Sequence, residues 1–224
     1  MISDKPKSRF SEIRLVVYDM DGTLIDAFVD IHDGINTVLK RFGLPPRTMD
    51  DVRRGVGDGA RMLIARMLPP EAQGLLDEAY HAYRAYYAAH PIVRAGLYPG
   101  VAATLDRLRL RGVHQAILTN KPDEVARPIC DKLGLTGVVD GIWGEVDGVP
   151  SKPDPEALLA IVRHFGLEPA QCAMVGDGHP DCMVARAAGA RFFGVTWGQM
   201  SRDDLVLHRP DAMLESFEQL NSLI

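Results

Sequence analysis

The chain has 224 residues, of which 46% are hydrophobic, so it can bury a core as one large domain or as a domain with a smaller insertion. Its formal net charge of -5 argues against a nucleic-acid or anionic-membrane surface, since either needs a clustered excess of basic residues. No apolar run approaches the roughly 18 residues that span a bilayer, and the polar N-terminal tail lacks a signal-peptide core, so we expect a cytoplasmic protein.

The first predicted strand ends in two acids. The apolar run Leu15–Tyr18 predicts a buried strand, and Asp19-Met20-Asp21-Gly22 follows it. Because side chains alternate along an extended chain, Asp19 and Asp21 are expected to point the same way, at a strand end where open α/β sheets bind ligands. Two carboxylates at so short a distance need a metal ion or a shared proton to relieve their repulsion. Because the motif is short, a plain Asp-Gly turn without a functional role is the alternative.

A region without a predicted strand extends from residue 27 to residue 94. Apolar residues at helical spacing predict a helix that begins near Asp26 and ends at Gly43, and another that ends at Pro69-Pro70. A third helix, rich in alanine and tyrosine, is predicted over residues 71–89. This change in composition indicates an inserted helical subdomain.

From Tyr98 onward, predicted strands and helices alternate. The predicted strands are 115–118, 173–176 and 192–195, and the predicted helices are 101–111, 122–133, 155–165 and 180–188. Alternation of this kind implies a parallel sheet covered by helices on both faces. We therefore expect an α/β fold whose core comprises residues 1–25 and 96–224, with residues 26–95 as a helical insertion.

Polar residues follow the later strands and precede one helix of this core. Thr119 and Asn120 follow the second strand, where a hydroxyl and backbone N–H groups can bind phosphate oxygens, although the pair also fits a helix-capping turn. Lys152 lies in a loop stiffened by two prolines, an unusual setting for a solvated lysine. Asp177 ends the third strand, and Asp181 lies in the first turn of the helix after it.

The order of these motifs resembles the four-motif signature of the haloacid dehalogenase-like phosphatases. The matching strings are Asp19-x-Asp21-Gly22-Thr23, Thr119-Asn120, Lys152-Pro153 and Gly176-Asp177-x-x-x-Asp181. One such motif is weak, but four in order over nearly the full chain are specific. The resemblance implies a Rossmann-like parallel-sheet core with an inserted α-helical cap over the catalytic crevice.

Further strings are similar to the phosphoglycolate phosphatase branch of that family. They are Gly55-Val56-Gly57-x-Gly59-Ala60, Tyr98-Pro99-Gly100-Val101, Leu118-Thr119-Asn120-Lys121-Pro122 and Ser151-Lys152-Pro153-Asp154-Pro155. Two positions depart from the pattern: Gly178 stands where many relatives carry serine, and Ala27 replaces another frequent serine. Neither departure removes a catalytic group.

The resemblance also implies roles for the motif residues in a phosphatase that uses Mg²⁺. Asp19 would be the nucleophile that forms an aspartyl-phosphate, and Asp21 would act as general acid and base. The Mg²⁺ ligands would be Asp19, the Asp21 backbone carbonyl and Asp177, while Asp181 would orient a metal-bound water or Lys152. The residues expected to hold the phosphate or its ester are Gly22, Thr23, Thr119, Asn120, Lys152 and, in the cap, Arg61.

The implied substrate is a small phosphorylated metabolite. The similarity to the phosphoglycolate phosphatase branch leads us to expect 2-phosphoglycolate first. Arg53, Arg54 and Arg61 flank the glycine-rich cap string, and one of them, Arg61 first, could pair with its carboxylate. The alternative substrates are a sugar phosphate, a nucleotide or pyrophosphate.

A phosphomutase is the alternative activity, since it shares all four motifs. A hydrolytic dehalogenase lacks the second acid of the first motif, and a non-catalytic module is expected to have lost a motif residue. Both a monomer and a homodimer stay open.

Overall fold

The structure, a computed structural model, describes residues 9–224, so most of the predicted polar tail lies outside it. Eight strands are present in this range: β1 (Leu15–Tyr18), β2 (Ile25–Asp26), β3 (Gly96–Leu97), β4 (His114–Pro122), β5 (Gly141–Glu145), β6 (Cys172–Gly176), β7 (Arg191–Val195) and β8 (Ala212–Leu214). The α-helices are α1 (Phe28–Arg41), α2 (Met49–Gly55), α3 (Gly59–Met67), α4 (Leu76–Ala89), α5 (Val101–Leu110), α6 (Asp123–Lys132), α7 (Pro155–His164), α8 (His179–Ala188), α9 (Arg202–Leu207) and α10 (Leu220–Leu223).

Six of the strands form one parallel sheet in the order β5-β4-β1-β6-β7-β8. In the middle, Val17 of β1 pairs with Ala116 of β4 on one side and with Met174 of β6 on the other. The carboxyl ends of these three strands therefore meet at one edge of the sheet. The predicted α/β fold class is confirmed, and this edge carries the acids that follow β1 and β6.

Alternation along β1 sends its side chains to two separate cores. Val16 and Tyr18 pack in the core that includes α5 and α6, whereas Leu15 and Val17 pack in the core that includes α7 and α8. All four side chains are fully buried. A strand covered on both faces is apolar at every position, which explains the continuous apolar run in the sequence.

The strands that the sequence pattern failed to predict in the large sheet are its two edges, β5 and β8. An edge strand is covered less completely: in β5, only Ile142 is buried, and glycines lie at 141 and 144. β5 therefore has no continuous apolar run, whereas β8 is apolar but only three residues long. Within residues 9–224, no helix is long and apolar enough to cross a membrane.

The helices α1–α4, which we call the cap, lie between the two strands of a short antiparallel ribbon. In this ribbon Ile25 pairs with Leu97 and Asp26 with Gly96, so the chain leaves and re-enters the core at neighbouring points. Helix α2, also missed by the pattern, begins with a capping box in which the Thr48 and Asp51 side chains bond each other's backbone N–H groups.

A buried carboxylate fixes the return segment to the cap. Asp30 of α1 is 4% exposed, and its oxygens accept hydrogen bonds from the backbone N–H groups of Val93, Arg94 and Ala95 at 2.9 to 3.0 Å. Hydrogen bonds to a charged acceptor are stronger than neutral ones, and unpaired buried N–H groups are costly.

We predict that Asp30→Ala lowers the free energy of unfolding by about 2 to 3 kcal/mol, because three backbone donors lose a charged acceptor. Urea unfolding followed by circular dichroism measures this change. Asp33→Ala is the matched control: Asp33 lies on the same helix and pairs with Arg94, but its side chain is 45% exposed, so the change should stay within about 0.5 kcal/mol. Equal effects of the two substitutions would contradict the assignment.

Candidate active site

A buried lysine lies between two acids at the carboxyl edge of the sheet. The Nζ atom of Lys152 is 2.7 Å from Oδ1 of Asp19 and 2.6 Å from Oδ1 of Asp181. The second oxygen of Asp181 accepts a hydrogen bond from the backbone N–H of Gly178 at 2.9 Å. Three distant chain segments, after β1, before α7 and at the start of α8, are joined by this one ammonium group.

Asp177 completes the acidic cluster and is held by its own set of donors. The Thr23 hydroxyl donates to Oδ1 at 2.8 Å, and the Gln199 backbone N–H donates to Oδ2 at 2.7 Å. Gly22 has a φ of +83°, and a Cβ there would lie 2.1 Å from the same Oδ2, so only glycine allows this close approach. Gly22 and Thr23, expected to bind substrate, thus lie against Asp177 and support it.

Burial and charge oppose each other in this cluster. Burial raises the pKa of the Asp19 carboxyl to about 7, although the neighbouring charge of Lys152 lowers it. Burial, followed by the charges of Asp19 and Asp181, raises the pKa of Asp177 well above its ordinary value. Burial alone lowers the pKa of Lys152, but Asp181 and Asp19 more than offset it, so the net shift is upward and the lysine is charged.

The cluster has the composition of a divalent-cation site. Within the described chain, one oxygen from each of Asp19, Asp177 and Asp181 lies within 4.8 Å of the other two, and all three residues are buried. The three carboxylates carry three negative charges when all are ionised, and the ammonium of Lys152, which contacts Asp19 and Asp181, compensates one of them. Carboxylate oxygens in this number are ligands that suit a hard cation such as Mg²⁺.

The second acid of the first motif is paired with a lysine that the sequence analysis did not assign to the site. Nζ of Lys121 donates to Oδ2 of Asp21 at 2.7 Å, and the ammonium lies 4.5 Å from the ring centroid of Tyr87 in the cap. Oδ1 of Asp21 is buried and has no hydrogen-bond partner within residues 9–224. The position of Lys121, directly after Thr119-Asn120 at a strand end, was the available signal.

A cavity of about 60 Å³ lies between these residues and the cap. The acids Asp19 and Asp21 and the polar residues Thr119, Asn120 and Lys121 line its core side. Its cap side is largely apolar and is lined by Ile31, Val56, Ala60, Leu63, Tyr83 and Tyr87, together with Arg84. The space admits only a few atoms beyond the acids, which suits a small ligand.

The structure does not bring Arg61 to this cavity. Its guanidinium pairs with Asp77 at 2.6 Å within the cap and lies over the ring of Tyr80, and its side chain is 53% exposed. The cap arginine that does line the cavity is Arg84, which also pairs with Glu124 of α6. The pairing with Asp77 on α4 is a tertiary contact that the spacing of residues could not reveal.

Comparison with known proteins decides the class of this site. The haloacid dehalogenase-like hydrolase family model matches residues 13–189, most of the chain. The chain belongs to the haloacid dehalogenase-like hydrolase family. Phosphoglycolate phosphatase 1 of Pseudomonas aeruginosa is 34% identical over 214 residues, which cover 92% of this chain and 78% of that protein. Phosphoglycolate phosphatase of Rhodospirillum rubrum is 33% identical over 215 residues, which cover 92% of this chain and 89% of that protein.

Solved structures of this family agree with the fold. A structure described as a predicted phosphoglycolate phosphatase from Haemophilus somnus has a TM-score of 0.86 at 27% identity, covering 94% of this chain and 97% of its own. A haloacid dehalogenase-like family hydrolase from Streptococcus pneumoniae has a TM-score of 0.85 at 26% identity, and the match covers 94% of this chain and 98% of that chain. The family predicted from the motifs and the prediction of a phosphatase are confirmed.

The raised pKa of Asp19 predicts a pH dependence of stability in buffer that contains a chelator. The folded-state value of about 7 exceeds the ordinary 3.8, so the folded chain keeps a proton that the unfolded chain releases. Stability from this group is therefore lost as pH rises from about 4 to about 7. Asp19→Asn cannot titrate, so its free energy of unfolding should rise relative to wild type across that window.

Urea unfolding at pH 4 to 8 measures the difference between Asp19→Asn and wild type. The exposed Asp26→Asn serves as the control, since an exposed carboxyl loses little hydration on folding. A difference for Asp19→Asn that stays constant from pH 4 to pH 8 would contradict the raised pKa.

Proposed function

We propose that this phosphatase hydrolyses a small phosphomonoester, 2-phosphoglycolate first, through an aspartyl-phosphate on Asp19 and with Mg²⁺ as cofactor. The observation that carries the proposal is the meeting of Asp19, Lys152, Asp177 and Asp181 at one sheet edge, in a chain whose relatives are named phosphoglycolate phosphatases. Phosphoryl transfer needs an in-line nucleophile and positive charge around the phosphoryl oxygens, and these residues supply both.

Asp19 is the proposed nucleophile. A carboxylate is a known nucleophile toward phosphorus, and burial keeps Asp19 out of bulk water, in which it would be solvated and weaker. The ammonium of Lys152 is held 2.7 Å from it and would bind a phosphoryl oxygen that arrives between them. The hydroxyl of Thr119 and the backbone of Asn120 are proposed to hold the remaining oxygens.

The carboxylate oxygens of Asp19 and Asp177 fit Mg²⁺, with the Asp21 backbone carbonyl proposed as a further ligand. Both oxygens of Asp181 already accept hydrogen bonds, from Lys152 and from the Gly178 backbone, so Asp181 is proposed to orient the lysine. A bound divalent ion would supply charge that neutralises the phosphoryl oxygens.

Asp21 is the proposed general acid and base. Asp21 lines the cavity, and its buried Oδ1 has no hydrogen-bond partner within residues 9–224. This carboxyl would protonate the departing alkoxide and then accept a proton from the attacking water. In the structure Lys121 holds the other oxygen. A substrate carboxylate that attracts Lys121 would leave Asp21 free to carry the proton.

The cavity favours a small acid as the leaving group. Lys121 and Arg84 are the cationic side chains among its lining residues. Lys121 pairs with Asp21 and Arg84 with Glu124 in the structure, and a carboxylate two carbons from the ester oxygen would compete for these cations. The apolar residues of the cap side, Ile31, Val56 and Leu63, offer no hydrogen bonds to a sugar or a nucleotide base that needs several. These contacts support 2-phosphoglycolate over sugar phosphates and nucleotides.

We predict that Asp19→Asn lowers the release of phosphate from 2-phosphoglycolate by at least about 10³-fold, because no aspartyl-phosphate can form. Substrate labelled in its phosphate group should leave label on quenched wild-type protein and none on the variant. Asp26→Asn, which alters an exposed acid, should keep wild-type turnover. An active Asp19→Asn would end the proposed mechanism.

We predict that Lys121→Met lowers kcat/KM for 2-phosphoglycolate about 10- to 100-fold more than for ethyl phosphate, which has two carbons but no carboxylate. The ratio of the two values is the readout, since the loss of a partner for Asp21 affects both substrates. Lys132→Met, at an exposed lysine of α6, is the control and should leave the ratio unchanged. An unchanged ratio in Lys121→Met would remove Lys121 as the carboxylate partner.

A further inference from the structure

The loop between α2 and α3 lies over the site and is held there by the core. We call residues 56–58 the cap loop; Val56 and Gly57 line the cavities above the acids. The side-chain amide of Asn120 donates to the Gly57 carbonyl at 2.9 Å and to the Lys152 carbonyl at 2.8 Å. One amide group thus ties the cap loop to the backbone of the buried lysine.

Gln199, in the loop after β7, makes a second tie. Its Nε2 donates to the Val56 carbonyl at 2.5 Å and to the Arg54 carbonyl at 3.3 Å. Its backbone N–H donates in the opposite direction, to Oδ2 of Asp177 at 2.7 Å. A single residue therefore bonds the cap through its side chain and the acidic cluster through its backbone.

The space around the Gln199 amide is fitted by glycines on both sides. A Cβ at Gly57 of the cap loop would lie 3.4 Å from the amide oxygen, and a Cβ at Gly178 of the core would lie 3.0 Å from it. A Cβ at Gly198, the preceding residue, would lie 2.2 Å from Cβ of Asp177. Any larger side chain at Gly198 would push this loop off Asp177, so the contact is close on all sides.

We infer that Gln199 is a positioning residue that couples closure of the cap loop to the placement of Asp177. When the cap loop is down, the side chain is fixed by two carbonyls and the backbone N–H is held toward Asp177. When the loop lifts, those acceptors are lost. The segment that carries the N–H then keeps only its other contacts, which include Met200 N–H to the Asp177 carbonyl at 3.1 Å and Trp197 Nε1–H to the Thr23 carbonyl at 3.2 Å, and its position against Asp177 is less fixed. Gln199 touches no reacting atom, and the inference rests on the proposed reaction at Asp19.

Gln199→Leu tests the coupling, because leucine has a similar size and keeps the backbone N–H but has no side-chain donor. We expect kcat/KM for 2-phosphoglycolate to fall about tenfold, mainly through kcat, from the loss of two amide hydrogen bonds in the closed state. The value for p-nitrophenyl phosphate should not fall, because we expect this bulkier ester to react with the cap loop lifted, where the two amide hydrogen bonds are already absent. Amide hydrogen exchange in the cap loop should accelerate at least about tenfold.

Gln73→Leu is the matched control. Nε2 of Gln73 also donates to two backbone carbonyls, those of Ala65 and Leu68, but both lie within the cap. A general loss of stability would lower the hydrolysis of both esters in either variant, whereas loss of the coupling shifts the preference in Gln199→Leu alone. Circular dichroism checks that each variant is folded. If Gln199→Leu is unfolded, Gln199→Met replaces it, and we expect the same results from it.

The inference would be overturned if folded Gln199→Leu kept the wild-type ratio of kcat/KM for the two esters and the wild-type rate of amide hydrogen exchange in the cap loop. If exchange accelerates in Gln199→Leu but the wild-type chain hydrolyses neither ester, the tie between cap loop and core stands and the proposed function fails.

Discussion

The ammonium of Lys152 between Asp19 and Asp181 is the interaction on which the site depends. Burying three carboxylates together is unfavourable, and each ion also loses hydration, so the cluster persists only because a buried cation and several N–H and O–H donors face it. Such an arrangement is expected to contribute little to the free energy of unfolding. It is well suited to a site that receives an anionic group and a divalent cation, because both complete its charge balance.

The fold delivers this charge arrangement through strand order. Because β1 lies between β4 and β6, the segments after these strands share one sheet edge, although contacts from the segment after β1 reach 100 residues along the chain to the end of β4 and 154 residues to the end of β6. The short ribbon of β2 and β3 then inserts the cap beside the same edge. The apolar inner side of the cap closes over Asp21 and Lys121, so water is limited where an acyl-phosphate would need protection.

The sequence predicted the parts of the molecule that are locally encoded. Central strands are buried on both faces and stand out as apolar runs, and the motif acids follow those runs directly. The edge strand β5 was missed because it is mostly half-exposed and interrupted by glycine. Lys121 and Gln199 were missed for another reason: their partners, Asp21 and Val56, are distant in sequence. The position of Lys121 at a strand end could have placed it near the site, but neither pairing can be identified before the chain is folded. Arg61 was wrongly expected in the cavity, because the sequence does not indicate that its guanidinium pairs with Asp77.

The most direct test of the central claim, that the buried acids form a cation-completed phosphoryl-transfer site, is the Mg²⁺ dependence of phosphate release from 2-phosphoglycolate. Protein stripped with a chelator should release no phosphate, and titration with Mg²⁺ should restore release along a saturating curve. Asp177→Asn should need a higher Mg²⁺ concentration for half-maximal rate, because a proposed ligand loses its charge. Full release in chelator, or none at saturating Mg²⁺, would contradict the account.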